Sequence, residues 1–376
     1  MSTPNMHRQR VRTEIQRLPD GYALKNRRRL ANFSDNDYLG LSFDTRLRGA
    51  AEAALHEYGA GAGASRLVTG NHPLYAQLER ELAEYKHTED ALVFGSGFLA
   101  NLGVVNGLIP KEDIILADRL IHASLVDAMQ LSGVQFQRYR HNDIAHLRQL
   151  LQKAKKRCWI ITESVFSMDG DLAPLLEISA LAAEFEAMLI VDDAHGMGVI
   201  NNDLLLINRA SARREAAGEA KRGGVSPSSN IIWVGTFSKA AGSYGGYVCA
   251  SKTLIEQMVN KARSLIYTTG LPPSVVAANI AALKIIKEDT ALTALPLQNA
   301  RYFDASAQSA IVPVIIGDDE ATLAAAQQLE EAGFLVSSIR PPTVPEGTSR
   351  LRITFSSVHK RAEIDRLRQT INEIMQ

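Results

Sequence analysis

Cysteine is nearly absent: Cys158 and Cys249 are the only two in 376 residues, far apart and both inside apolar runs. That excludes a disulfide-stapled scaffold and a CxxC metal site, and no metal is expected. Charge of one sign is also lacking, with 41 Lys plus Arg against 41 Asp plus Glu. Without net charge there is no global field to draw nucleic acid or an anionic membrane, so neither is expected as a partner. No apolar run reaches membrane-spanning length. The opening MSTPNMHRQRVRTEIQRLPDG has no apolar core of signal-peptide size, and its Glu14 and Asp20 argue against a transit peptide. A reducing cytoplasm is the expected location. Internal repeats and low-complexity tracts are missing too. The loop GAGAGASR at 59–66 is GxGxG rather than GxGxxG, and no apolar strand precedes it, so a nucleotide site there is a weak reading.

What is present centres on residues 231–246, IIWVGTFSKAAGSYGG. Ile231 to Val234 read as a buried strand that breaks into Gly235, Thr236, Phe237 and Ser238 just before Lys239. Burial penalises an ammonium and favours the neutral amine, the form that attacks carbonyls. An isolated lysine at a strand end more often snorkels into solvent. A second stretch changes the balance: Met188 to Val191 form an apolar run that ends in Asp192, Asp193, Ala194 and His195. Acidic groups there lie at the ligand edge of an open α/β sheet. A carboxylate can keep a pyridine nitrogen protonated, which makes the ring an electron sink, and pyridoxal 5'-phosphate is the aldehyde cofactor such a pair would serve.

The hydrophobic fraction of 46% is that of a folded protein with a sizeable core. Residues 7–18 suggest a short polar helix, Lys25 to Arg29 a solvated basic face, and NFSDNDYLGL at 32–41 an ordered turn. From about residue 47 to 250 strands and helices alternate, which predicts a largely parallel sheet covered on both faces. The small residues Gly95 to Gly97 before a helix leave free N–H groups at the positive end of its dipole, a place for phosphate. Residues 201–229 read as a polar excursion. The expected domains are an N-terminal segment (1–45), a large cofactor-binding domain (46–288) and a small α+β domain (289–376).

FGSGFLAN, LIHASL, TESVFSMDGD, VDDAHGMG, GTFSK and RPPTVPEGTSRLRI occur in this order. On these motifs the chain resembles the α-oxoamine synthases, pyridoxal phosphate enzymes of the type I aminotransferase fold. The resemblance implies a large domain with a mostly parallel seven-stranded sheet, a small C-terminal domain, and a homodimer with sites at the subunit interface. It implies an acyltransferase that joins an amino acid to an acyl thioester with loss of carbon dioxide and thiol. RPPTVP resembles the branch acting on L-alanine and a pimeloyl thioester in biotin biosynthesis, with coenzyme A and acyl carrier protein both open as carriers. Sister synthases that use glycine with acetyl or succinyl thioesters remain alternatives. A ligand-sensing module of a transcription regulator is the rival from another class, disfavoured by the balanced charge and the short stretch before residue 32.

Carried over residue by residue, the resemblance makes Lys239 the Schiff-base lysine and the base for the α-proton. Asp192 would pair with the pyridine nitrogen, and His195 and Ser167 would bond near the phenolic oxygen. His122 would stack on the ring and border the substrate, while Gly97 and Phe98 give N–H groups to the phosphate and Thr236 its hydroxyl. Arg352 would bind the amino acid carboxylate, Arg340 the far carboxylate of the acyl chain, and Thr343 substrate or phosphate from a partner subunit. Arg350 is read as a surface arginine, and Arg17 stands in for an N-terminal arginine of the family.

Overall fold

Five consecutive strands of one sheet owe their place to runs of apolar residues too short for helices. The structure, a computed structural model, describes residues 12–200 and 230–376. In chain order it begins with β1 (Ile15–Arg17), β2 (Tyr22–Lys25) and β3 (Arg28–Asn32), then helices α1 (Thr45–Tyr58) and α2 (Leu74–Lys86). Next come β4 (Asp90–Phe94), α3 (Gly97–Leu108), β5 (Ile114–Asp118), α4 (Ala123–Ser132) and β6 (Gln135–Tyr139). They are followed by α5 (Ile144–Lys153), β7 (Cys158–Glu163), α6 (Leu175–Glu184), β8 (Met188–Asp192), β9 (Ile231–Thr236) and β10 (Gly246–Ala250). The remainder is α7 (Lys252–Lys261), α8 (Arg263–Ile266), α9 (Pro273–Glu288), α10 (Thr290–Phe303), β11 (Ile311–Gly317), α11 (Asp319–Glu331), β12 (Phe334–Leu335), β13 (Ser337–Ile339), β14 (Ser349–Thr354) and α12 (Arg361–Ile374).

Contacts divide the chain into two units. The larger, Asp44–Phe166 with Leu172–Glu288, is built on a seven-stranded sheet of order β4-β10-β9-β8-β7-β5-β6. Every residue of β5, β7, β8, β9 and β10 is buried, as expected for strands covered on both faces, whereas the polar β6 forms an exposed edge. Strands β9 through β6 pair in parallel, and β10 runs antiparallel to both β9 and β4. Two reversals restore direction, so β4 points the same way as β9 and the start of α3 lies at the edge that receives Lys239. Leu92, Val104, Ile115, Ile161, Ile190 and Ile232 belong to the core of this unit.

The smaller unit comprises the segment through Phe43, Ser167–Asp171 and Asp289–Gln376. It differs from the expected partition, because β3 pairs in parallel with β12 and so ties the N-terminal segment to the C-terminal residues. A second small sheet has the order β11-β14-β13, and Phe33, Phe334, Ile353, Phe355 and Leu367 share the core.

Several expectations need correction here. Ile15–Arg17 is a strand rather than part of a 7–18 helix, because its backbone finds partners on β2; residues 7–11 lie outside the described part. Lys25–Arg29 is a hairpin, with Asn26 and Arg27 at φ 51° and 62° in the left-handed region that tight two-residue turns require. Residues 26–29 are exposed, as a solvated basic face requires, while Lys25 and Arg28 also bond to the Glu330 carboxylate and carbonyl. Asp289 caps the N–H of Leu292 at the start of α10, a helix that accommodates Pro296 and opens the small α+β part. The reading of 201–229 falls outside the described residues.

His359 locks two parts of the smaller unit. Its ring stacks on Phe33 at 4.0 Å, Nδ1 accepts from the Ser356 N–H (3.0 Å), and Nε2–H donates to the Asn32 carbonyl (3.0 Å). Burial is the main reason its pKa falls from 6.5 to about 4. Between those values the unfolded chain binds a proton that the folded one refuses. The stabilisation, about 3 kcal/mol at most, is therefore complete above pH 6.5 and drains away as pH falls towards 4. Urea unfolding at pH 7, 5.5 and 4.5 should show this slope, and His359→Gln should flatten it.

Candidate active site

The sheet's geometry gathers side chains from four strand ends in the larger unit. Lys239 follows β9, its carbonyl accepting from the Gly242 N–H (2.8 Å) in a tight turn, and its Nζ lies 2.7 Å from His195 Nε2. Asp192 closes β8 and is 6% exposed. Its Oδ2 accepts from Asn101 Nδ2 (2.8 Å) and its Oδ1 from the Ala194 N–H (3.0 Å). His122 caps α4 just after β5, and its Nδ1 accepts from the Ser124 N–H (3.2 Å).

One amide links two of these groups. Asn101 Nδ2, on α3, donates to Ser124 Oγ (2.9 Å) as well as to Asp192. Ser124 thereby has its own proton for His122 Nδ1, 2.8 Å away, which fixes the remaining His122 proton on Nε2. Burial lowers the His122 pKa, and Lys239 lowers it further against the opposing pull of Asp192. The ring is neutral near pH 7. Glu163 pairs with Asp192 across β7 and β8, and burial, then the neighbouring Asp192, raises its carboxyl well above the usual range. Its Oε1 is buried without a partner.

Gly97 and Phe98 open α3, where Ser96 caps the N–H of Leu99. A Cβ on Gly97 would come within 3.2 Å of Thr236 Cβ, a contact tight enough that the helix start or β9 would have to give by a few tenths of an ångström. The Thr236 hydroxyl donates to the Gly245 carbonyl (2.8 Å), which leaves Ser238 Oγ, 2.8 Å from it, as the hydroxyl able to turn outward. Thus the larger unit brings together Lys239, His195, His122, Asp192, Gly97, Phe98 and Thr236.

The other expected residues belong to the smaller unit. Arg352, on β14, donates through Nε to the Ser167 carbonyl (2.6 Å) and through both terminal nitrogens to Asn36 Oδ1 (3.2 and 3.3 Å). Arg340 and Thr343 share a turn in which the Thr343 N–H donates to the Arg340 carbonyl (3.0 Å). Arg350 corrects the surface reading: it is 4% exposed and pairs with Asp169 at 2.5 Å. Arg17 is engaged by both Asp35 and Asp37. Asn101, Ser124 and Glu163 escaped the sequence reading, although each lies inside a motif it quoted.

An amine within reach of an imidazole, a held carboxylate, a neutral ring-sized histidine and an N–H cradle at a helix start suit a phosphorylated aromatic aldehyde, so these residues fit pyridoxal 5'-phosphate. The aminotransferase class I and II pattern matches residues 28–371, and the chain belongs to that family. Within it the chain groups with the pyridoxal phosphate-dependent acyltransferases. It is 48% identical over 360 residues to the 8-amino-7-oxononanoate synthase of Methylobacterium sp. (strain 4-46), covering 94% of this chain and 89% of that one. A serine palmitoyltransferase variant from S. paucimobilis, solved with a PLP–myriocin aldimine, is similar with a TM-score of 0.86 at 29% identity, over 96% and 92% of the two chains. The 8-amino-7-oxononanoate synthase of Francisella tularensis gives 0.73 at 29% identity, over 92% and 96%.

Asn101→Ala removes a donor from Asp192 and from Ser124 together. We expect pyridoxal phosphate to bind about tenfold more weakly, read by absorbance titration of a protein whose far-UV circular dichroism is unchanged. Affinity within twofold of the parent would show that the carboxylate does not depend on this amide.

Proposed function

We propose that the chain condenses L-alanine with a pimeloyl thioester, releasing carbon dioxide and free thiol and giving 8-amino-7-oxononanoate, a step of biotin biosynthesis. The observation that carries this is the Lys239 amine at 2.7 Å from His195, beside a doubly held Asp192, in a chain 48% identical to a synthase of that name. When bound, pyridoxal phosphate supplies an electron sink for the carbanion formed at the amino acid's α-carbon.

The chain's own residues do the rest. Lys239 is the amine that would hold the cofactor aldehyde, and, once freed by the substrate's own amine, its Nζ would be the base for the amino acid's α-proton, with His195 in place to orient it. Asp192 would pair with the ring nitrogen, and Asn101 with the Ala194 N–H keeps the carboxylate aimed. His122 would lie by the ring as a neutral imidazole. Gly97 and Phe98 N–H groups would hold the phosphate, with a hydroxyl from the Thr236–Ser238 pair. Ser167 would serve the phenolic oxygen. Arg352 takes the amino acid carboxylate through its planar fork, and Arg340 and Thr343 serve the acyl substrate. The working unit in this reading is a cytoplasmic homodimer, and coenzyme A or acyl carrier protein carries the acyl group.

The likeness to a serine palmitoyltransferase keeps a sister synthase in view. Purified protein given alanine and pimeloyl-coenzyme A should yield a product with the mass of 8-amino-7-oxononanoate. Faster turnover with glycine and an acetyl or succinyl thioester would transfer the reading to a sister enzyme. Lys239→Ala should stay folded and lose turnover by about a thousandfold or more, and appreciable residual condensation would remove the lysine from its role.

A further inference from the structure

A second lysine lies beneath the site and is more deeply buried than the first. Lys86 ends α2 with a side chain that is 0% exposed, and its ammonium forms a salt bridge with Asp193, itself 2% exposed. Asp193 also accepts from Ser164 Oγ at 2.5 Å. Its backbone N–H donates to the Val234 carbonyl (2.7 Å), while its carbonyl accepts from the N–H groups of Gly196 and Met197 (both 3.1 Å). The turn that carries Asp192 before it and His195 after it is thus fastened at its middle residue. The packing leaves no slack: a Cβ on Gly196 would stand 2.2 Å from Asp193 Oδ1 and 2.6 Å from Ser164 Oγ.

Lys86 is not needed to satisfy α2, whose last turn is closed by backbone bonds from His87. The Trp233 and Tyr85 rings lie 4.9 and 5.2 Å from its nitrogen, which adds cation–π attraction. Burial works against its charge, but Asp193 and then Tyr85 more than offset this, and its pKa is raised. The ionisable groups bearing on the pair are Tyr85, Cys249 and Tyr247, and burial pushes all three upward, so none competes for charge near neutral pH.

We propose that Lys86 is a positioning residue for the cofactor site: its ammonium neutralises Asp193 and pins the 192–195 turn, so that Asp192 and His195 present one fixed geometry to pyridoxal phosphate. This rests on the roles given above to Asp192 and His195. Lys86 touches neither substrate nor cofactor. Removing its charge leaves Asp193 as an extra anion just behind the site, which stabilises protonated forms at Lys239 in a field shared with His195, His122, Asp192 and Glu163.

The test compares Lys86→Met with the double variant Lys86→Met/Asp193→Asn. The single variant should bind pyridoxal phosphate about tenfold more weakly, and the pH midpoint of the bound cofactor's visible band should move up by about one unit. The double variant, with a neutral pair of similar size, should recover both. A purely structural role predicts a lower melting temperature in both variants, with affinity and midpoint as in the parent, and that outcome overturns the proposal. If Lys86→Met does not fold, Ser164→Ala removes the other side-chain hold on Asp193. It should weaken cofactor binding about threefold, and an unchanged constant refutes the positioning role. Failure of the parent protein to bind pyridoxal phosphate would instead count against the cofactor chemistry itself.

Discussion

The site depends on where negative charge is allowed to rest at the end of the central strands. Two carboxyl groups, Glu163 and Asp192, stand side by side in the β7–β8 ladder, and both are nearly out of reach of water. Two buried anions at such a spacing repel one another while each loses its hydration. Burial, and then the neighbouring Asp192, raises the Glu163 carboxyl well above the usual range. Asp192 receives an amide N–H and a backbone N–H that hold its carboxylate in one orientation, whereas Oε1 of Glu163 is buried without a partner.

The same sheet explains why the start of α3 can stand near the Lys239 amine that lies far along the chain. That helix start precedes β5 in sequence, yet β4 is carried to the far side of β9 by β10, which runs antiparallel to both. Close approach completes the arrangement. A Cβ at Gly246 would stand 2.3 Å from the Ser96 carbonyl, so the cap of α3 rests directly on the β10 backbone. Bulk at either contact would lift the helix start away from the sheet edge. The glycines of FGSGF and SYGG are therefore two halves of one steric requirement.

How much of this was legible follows from the range of each interaction. Parallel strands announce themselves by unbroken apolar runs, so the placement of Lys239, Asp192, His195 and His122 at their carboxyl ends could be read. Ser167 and Arg352 were singled out through motif resemblance, and the 2.6 Å bond between them could not be foreseen because it spans 185 positions. Arg350 misled because arginine defaults to the surface, and its buried partner Asp169 is equally remote in sequence. Short elements were lost for another reason. Ile15–Arg17 has three exposed residues and no pattern of its own, and its backbone is extended only because β2 lies beside it.

Lys86 shows what a sequence half-states. Leu74, Leu78 and Leu82 repeat every four residues along α2, and the next step of that stripe is position 86, so the spacing aims this side chain at the core. A lysine at the C-terminal turn of a helix has its own explanation, since it complements the helix dipole and can extend into water. Helix-dipole stabilisation is worth only about 0.3–1 kcal/mol, whereas burying an ammonium without a partner costs several times that, so such a lysine goes inward only where a carboxylate waits. Asp193 waits there, 107 residues later in the chain. The pairing makes the second Asp of VDDAH intelligible: the first carries charge towards the ligand edge, and the second carries charge that must be cancelled from behind for the first to act alone.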